Sequence, residues 1–200
     1  MTAEQKQSQA PLTQEEKARI KKKLSHYEIR DWAEALLIAG TIVVFVLLFI
    51  GQMVVVSGES MEPNFHTNER LFAWSSFGEL ERNDVVCIKR DGEDPLIKRV
   101  IATEGQTVDI DTQAGVVYVD GVALEESFTL EPTYTDGNSP MTESIGFPAT
   151  VPEDCVFVMG DNRNNSLDSR FEEVGMIPLD HVFGKVAFRL YPFDQIGPVE

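Results

Sequence analysis

The longest apolar stretch comes early: from Ala35 to Gly58, twenty-four residues pass without a charge. As one helix this run would reach roughly 36 Å, enough to cross a hydrocarbon core of about 30 Å. It predicts a membrane-spanning helix over 32–56. The run is too long for a signal-peptide core, and no A-x-A-like site follows it. Upstream, Thr13-Gln14-Glu15-Glu16 has capping-box spacing and predicts a helix through Lys21-Lys22-Lys23 toward Tyr27. Residues 1–11 are polar and expected to be disordered.

Past Gly58 the pattern changes to short β-rich runs. Strands are expected at Leu71–Phe77, Asp84–Arg90, Leu96–Thr103, Thr107–Asp111, Cys155–Met159 and His181–Tyr191. Gly115 to Ala123 reads as a hairpin turning on Asp120-Gly121, a favoured turn dipeptide. Glu125 to Val151, rich in Pro, Gly, Ser and Thr, reads as an irregular excursion. The expected fold is mainly β: an antiparallel, partly barrel-like catalytic domain tethered by one N-terminal transmembrane helix. Three parts follow, with 1–31 as an N-terminal segment, 32–56 as the span and 57–200 as the outer domain.

Charge adds an orientation. Residues 1–31 hold seven Lys/Arg against five Asp/Glu, whereas 59–200 hold ten against twenty-seven. The positive-inside rule then keeps the N-terminus in the cytoplasm and places the rest outside the plasma membrane in a single pass. An outer domain this acidic argues against nucleic acid, whose phosphates need clustered Lys/Arg. Cys87 and Cys155 both fall in expected strands of that domain, where two thiols or one bridge are both open.

The candidate chemistry begins at Ser57-Gly58-Glu59-Ser60-Met61-Glu62-Pro63, where a serine sits in a turn just beyond the apolar run. A serine hydroxyl is a weak nucleophile until something takes its proton. The histidines sit in no catalytic setting, and the flanks of Ser60 are not those of a nucleophile elbow. Lys98 lies among Ile97, Val100 and Ile101, apolar neighbours of the kind that disfavour an ammonium. Taken alone, one serine and one lysine are a weak signal, and an ordinary strand lysine is the plainer reading. A third stretch, Gly160 to Arg170, is dense in Asp, Asn and Arg and reads as a rigid polar loop held by paired hydrogen bonds.

These three stretches, with Arg82-Asn83-Asp84-Val85-Val86 and Gly184 to Arg189, resemble in order the boxes of bacterial type I signal peptidases. Those are Ser/Lys proteases that remove signal peptides from exported proteins, and the single span resembles the form found in Gram-positive bacteria. The resemblance covers roughly residues 32–192. It implies Ser60 as nucleophile, Lys98 as general base and Ser166 as the hydroxyl that orients the lysine. It implies that Asp168 with Arg170, and Asp161 with Arg163, hold the loop, and that Met61 and Pro63 shape the nucleophile turn. Backbone donors at Ser60 and around Gly58 would bind the oxyanion, since Gly58 stands where some members carry serine. Val56 and Ile97 would line a shallow pocket selecting small residues at the first and third positions before the cut. Exported preproteins and the lipid bilayer are the implied partners, with neither metal nor cofactor. Asn83 departs from the family by standing where glycine is usual.

Two other readings compete. A LexA-like self-cleaving protein shares the Ser/Lys chemistry but would be soluble and carry a DNA-binding domain. An inactive or specialised membrane-anchored paralogue, acting as a binding module, need not keep Ser60, Lys98 and Ser166; all three are present.

Overall fold

The computed structural model describes residues 14–49, 51–75, 78–90, 92, 94–137 and 142–199. The disorder expected at 1–11, the Thr13 cap and positions 76 and 77 of the first expected strand lie outside these residues. The chain divides into two compact units, Met1–Val46 and Leu47–Glu200.

Helix α1 runs unbroken over Gln14–Phe49, so the expected basic helix and the apolar stretch are continuous. Its apolar side chains at Leu36, Leu37, Ile38 and Ile42 to Phe45 are all more than half exposed. The expected single span is corrected: among the described residues no helix is long and apolar enough to cross a membrane. The physical reason lies in how the uncharged run divides. Among its described residues only Ala35 to Phe49 is helical, about 22 Å of rise against a hydrocarbon core of about 30 Å. Gly51–Val55 is instead the first strand, β1. The single-pass topology and the plasma-membrane orientation built on that span fall with it. β1 is part of the larger β-sheet.

The strands are β2 (Arg70–Trp74), β3 (Val85–Ile88), β4 (Leu96–Thr103), β5 (Thr107–Asp111), β6 (Val116–Val119) and β7 (Val122–Ala123). They continue with β8 (Ala149–Thr150), β9 (Cys155–Met159), β10 (Ile177–Pro178), β11 (Val182–Tyr191) and β12 (Gly197–Pro198). One sheet has the order β1-β2-β11-β3-β4-β9-β10, with β12 beside β11; a smaller one has the order β7-β6-β5-β8. Every pairing within them is antiparallel. The architecture is the expected mainly-β, partly barrel-like domain. Strands β4, β5 and β9 have the expected ends. The β6–β7 hairpin turns on Asp120 and Gly121, both at positive φ (53° and 76°), as a primed two-residue turn requires.

Two features of the frame matter for the site. β4 is central, its residues 97–102 all buried, so a lysine placed there leaves water. Its bulge between Val100 and Ala102 and those within β11 bend the large sheet. Packed under the nucleophile turn are Val54, Val56, Met61, Leu71, Val85, Cys87 and Ile97; Ile101 and Phe157 meet Val108 and Val117 of the smaller sheet. Cys87 and Cys155 are both free thiols. They sit on β3 and β9 with β4 between them, about two strand spacings apart, beyond the roughly 7 Å reach of a disulfide.

Candidate active site

Ser60 leaves the sheet through a turn that its own backbone locks. The Glu62 N–H donates to the Glu59 carbonyl (3.1 Å), and the Asn64 and Phe65 amides donate to Met61 (3.1 and 2.9 Å). Met61 is buried beneath this turn. From the far loop, the Asn162 N–H donates to the Ser60 carbonyl at 3.0 Å and the Asn162 side-chain amide to the Glu59 carbonyl at 3.2 Å. Gly58, at φ +88°, occupies the left-handed region and lines the groove in front of Ser60; the Thr67 hydroxyl donates to its carbonyl at 3.0 Å.

Lys98, thirty-eight residues further on, points its amine at this hydroxyl: Nζ lies 2.6 Å from Ser60 Oγ. The lysine is only 2 % exposed. Burial lowers its pKa from 10.5 to about 8; Arg90 and Arg170 push the same way, while Asp168 and Asp161 oppose. The amine is therefore partly neutral at physiological pH. Its lone pair can then take the hydroxyl proton along the line of the existing contact.

The loop from Gly160 to Arg170 closes the other side. Asp168 is buried, which opposes ionisation, yet its carboxyl is held below the ordinary range by the Arg170 guanidinium and the Gly160 N–H. Arg170 grips it with two bonds of 2.8 Å, and the Gly160 amide donates at 2.9 Å. The Ser166 hydroxyl lies beside the Asp168 carboxyl and favours its ionised form, and the expected bond to Lys98 is not made in this arrangement. Gly160 is where only glycine fits. A Cβ there would overlap Ser166 Oγ and the Ser60 carbonyl, and lie 2.6 Å from Ser166 Cβ.

The expected pairing of Asp161 with Arg163 is not made. Asp161 instead accepts a bidentate pair from Arg99 (2.8 and 2.7 Å), and Arg163 donates one to Glu126 (2.5 Å twice). The reason is direction. Arg163 Nε donates to the Gly160 carbonyl and its two Nη groups reach Glu126, while the Asp161 carboxylate is met by Arg99 of β4. Sequence reasoning gave Arg99 no role although it adjoins Lys98, and it passed over Glu126, whose place in a polar excursion carries no signal. Asn83 has φ +77°, a conformation asparagine tolerates better than most residues, and its carbonyl accepts from Arg99 Nη1 at 2.8 Å. That accounts for an asparagine where the resembling proteins favour glycine.

Two cavities adjoin the hydroxyl. A groove of about 620 Å3 runs past Ser57, Gly58, Ser60, Thr67, Arg90 and Lys98. A pocket of about 40 Å3 opens between Val56, Met61, Ile97 and Ser60. His66, partly paired with Glu62 (3.2 Å), lines a different cavity, and His181 is exposed; neither reaches Ser60.

A buried amine in contact with a serine hydroxyl, on an antiparallel frame with a groove beside it, is equipment for lysine-assisted acyl transfer. Comparison with known proteins agrees with that class. The family described as signal peptidase, peptidase S26, matches residues 29–191. The chain is 33% identical over 174 residues to signal peptidase I S of Bacillus subtilis (strain 168), covering 84% of this chain and 92% of that protein. It is 33% identical over 187 residues to signal peptidase I T of the same strain, covering 88% and 91%. A solved signal peptidase I from Enterococcus faecalis V583 is 28% identical, with a TM-score of 0.43, covering 55% of this chain and 98% of that one. The chain belongs to the signal peptidase family, peptidase S26, and is a serine-type endopeptidase of the signal-peptide-cleaving kind.

Proposed function

We infer that Ser60 attacks the scissile carbonyl of a preprotein while neutral Lys98 takes its proton. The observation that carries this reading is the 2.6 Å contact between Lys98 Nζ and Ser60 Oγ at a lysine almost wholly removed from water. The ammonium so formed protonates the leaving amine, and the lysine then activates the water that deacylates Ser60. Ser166 Oγ, which makes no bond to Lys98 at rest, is the acceptor available to hold the amine once Ser60 is acylated. The oxyanion would be met by the Ser60 N–H and the backbone at Gly58. Asp168 with Arg170, Asp161 with Arg99, and Arg163 with Glu126 keep the loop in place.

The pocket between Val56 and Ile97 supports a substrate with small side chains before the cut. A space of about 40 Å3 accepts a methyl group, and overfilling an apolar pocket costs roughly 1–3 kcal/mol. A charged group left unpaired there costs more. Preproteins are substrates with a membrane context; the exposed apolar side chains of α1 support lipid contact where they are presented.

The test is covalent. An acylating serine-protease inhibitor should leave its adduct on Ser60, and Ser60→Ala should abolish both adduct and cleavage of a preprotein. An adduct elsewhere, with Ser60→Ala still active, would sink the assignment.

A further inference from the structure

The segment from Glu126 to Thr135 reads as loose loop in the sequence, yet it is stitched along the Gly160–Arg170 loop almost residue by residue. Glu126 takes both Nη groups of Arg163, a residue with no exposed surface. The Phe128 ring lies between two guanidiniums, 4.3 Å from Arg99 and 5.8 Å from Arg163, and its carbonyl accepts from Asn64. The Leu130 N–H donates to the Asp161 carbonyl (3.3 Å), and the buried Thr133 hydroxyl accepts from Arg163 (3.1 Å). Asn164 bonds both the Pro132 carbonyl and the Tyr134 N–H, and Arg170 Nη1 donates to the Thr135 carbonyl at 2.9 Å.

We propose that this strap, through Glu126 and Phe128, is a positioning element that sets the distance between the Gly160–Arg170 loop and the Ser60–Lys98 pair. The inference rests on the Ser60–Lys98 reading and deepens it.

The mechanical path is short. Glu126 fixes Arg163, and Arg163 Nε fixes the Gly160 carbonyl at 3.1 Å. The Gly160 amide is bound to Asp168, and its Cα is packed against Ser166 Oγ and the Ser60 carbonyl. Two residues on, the Asn162 amide holds Ser60 from behind. Neutralising Glu126 leaves Arg163 as a buried cation with neutral partners only, and such a cation draws in water or shifts to reach it. Either response moves Gly160, and with it the wall that keeps water from Lys98. The charged groups acting on that amine are Asp168, Asp161 and Arg170 of the loop and Arg90 just past β3. Three of the four ride on the loop the strap holds. By contrast, the apolar walls of the pocket, Val56 just past β1 and Ile97 of β4, make no hydrogen bond to the strap.

The role therefore has a distinctive readout. Glu126→Gln, isosteric but uncharged, should lower kcat between about ten- and a hundredfold, the scale of a misplacement near 1 Å. KM should stay within about twofold, and the pH midpoint of the acid limb should move upward as Lys98 is rehydrated. Phe128→Leu should act in the same direction with smaller effect, and Glu126→Asp, which keeps the charge, should recover part of kcat. All are measured on full-length protein per folded molecule, counted by stoichiometric acylation of Ser60, with Lys98→Arg alongside. Unchanged kcat and midpoint in Glu126→Gln would overturn the proposal; if that variant does not fold, the same result in Phe128→Leu decides it. Activity in Lys98→Arg would overturn the base assignment instead, a separate outcome.

Discussion

Lowering the pH should remove activity in a way that reports on Lys98 alone. With its pKa at about 8, about one lysine in ten is neutral at pH 7; at an ordinary 10.5 the fraction would be about one in 3,000. Burial thus raises the neutral fraction about 300-fold, equivalent to about 3 kcal/mol. The cost appears in the folded state. Below pH 8 both folded and unfolded chains carry the proton, and the folded chain bears the full penalty of a buried ammonium. Between 8 and 10.5 the unfolded chain binds more protons, so this group's contribution to stability rises with pH and the penalty is gone above 10.5. For catalysis, kcat/KM should climb about tenfold per pH unit up to near 7 and reach half its plateau at about 8. Cleavage of a short peptide with alanine before the cut, followed from pH 5.5 to 9.5, gives the profile. Lys98→Arg should be inactive across the range, since arginine does not deprotonate. A profile flat from pH 6 to 8, or a midpoint near 10.5, would falsify the account of a buried neutral base.

Two further outcomes follow from the contacts. Arg99→Lys should cost about 3 kcal/mol of stability, because a lysine cannot reproduce the bidentate grip on buried Asp161; urea unfolding would measure it, and a loss below about 1 kcal/mol would show the pair to be dispensable. Ile97→Ala should enlarge the 40 Å3 pocket and let valine or leucine replace alanine before the cut; competition between two preproteins differing there reads the change, and unaltered preference would place the specificity elsewhere.

Much of this molecule was readable along the chain. Strands β4, β5 and β9 follow from local β-rich runs, and the Asp120-Gly121 turn from the φ > 0 its geometry demands. The Gly160–Arg170 loop stands out by its density of Asp, Asn and Arg, whereas Ser60 and Lys98, a weak signal by themselves, take their expected roles from the resemblance of the boxes around them. Three things waited for the fold. The uncharged run from Ala35 to Gly58 splits between a helix and β1, because Met53 to Val55 satisfy their backbone against β2, a partner some twenty residues away that apolar content cannot reveal. Asp168 pairs with Arg170 as expected, but Asp161 and Arg163 each meet a partner from another segment, Arg99 of β4 and Glu126, because charge pairing depends on which side chains the fold brings within reach. Finally, the shift that makes Lys98 a base is a property of its surroundings. Its apolar sequence neighbours hinted at it, but the removal of water is the work of a central strand, a nucleophile turn and a loop brought together from across the chain.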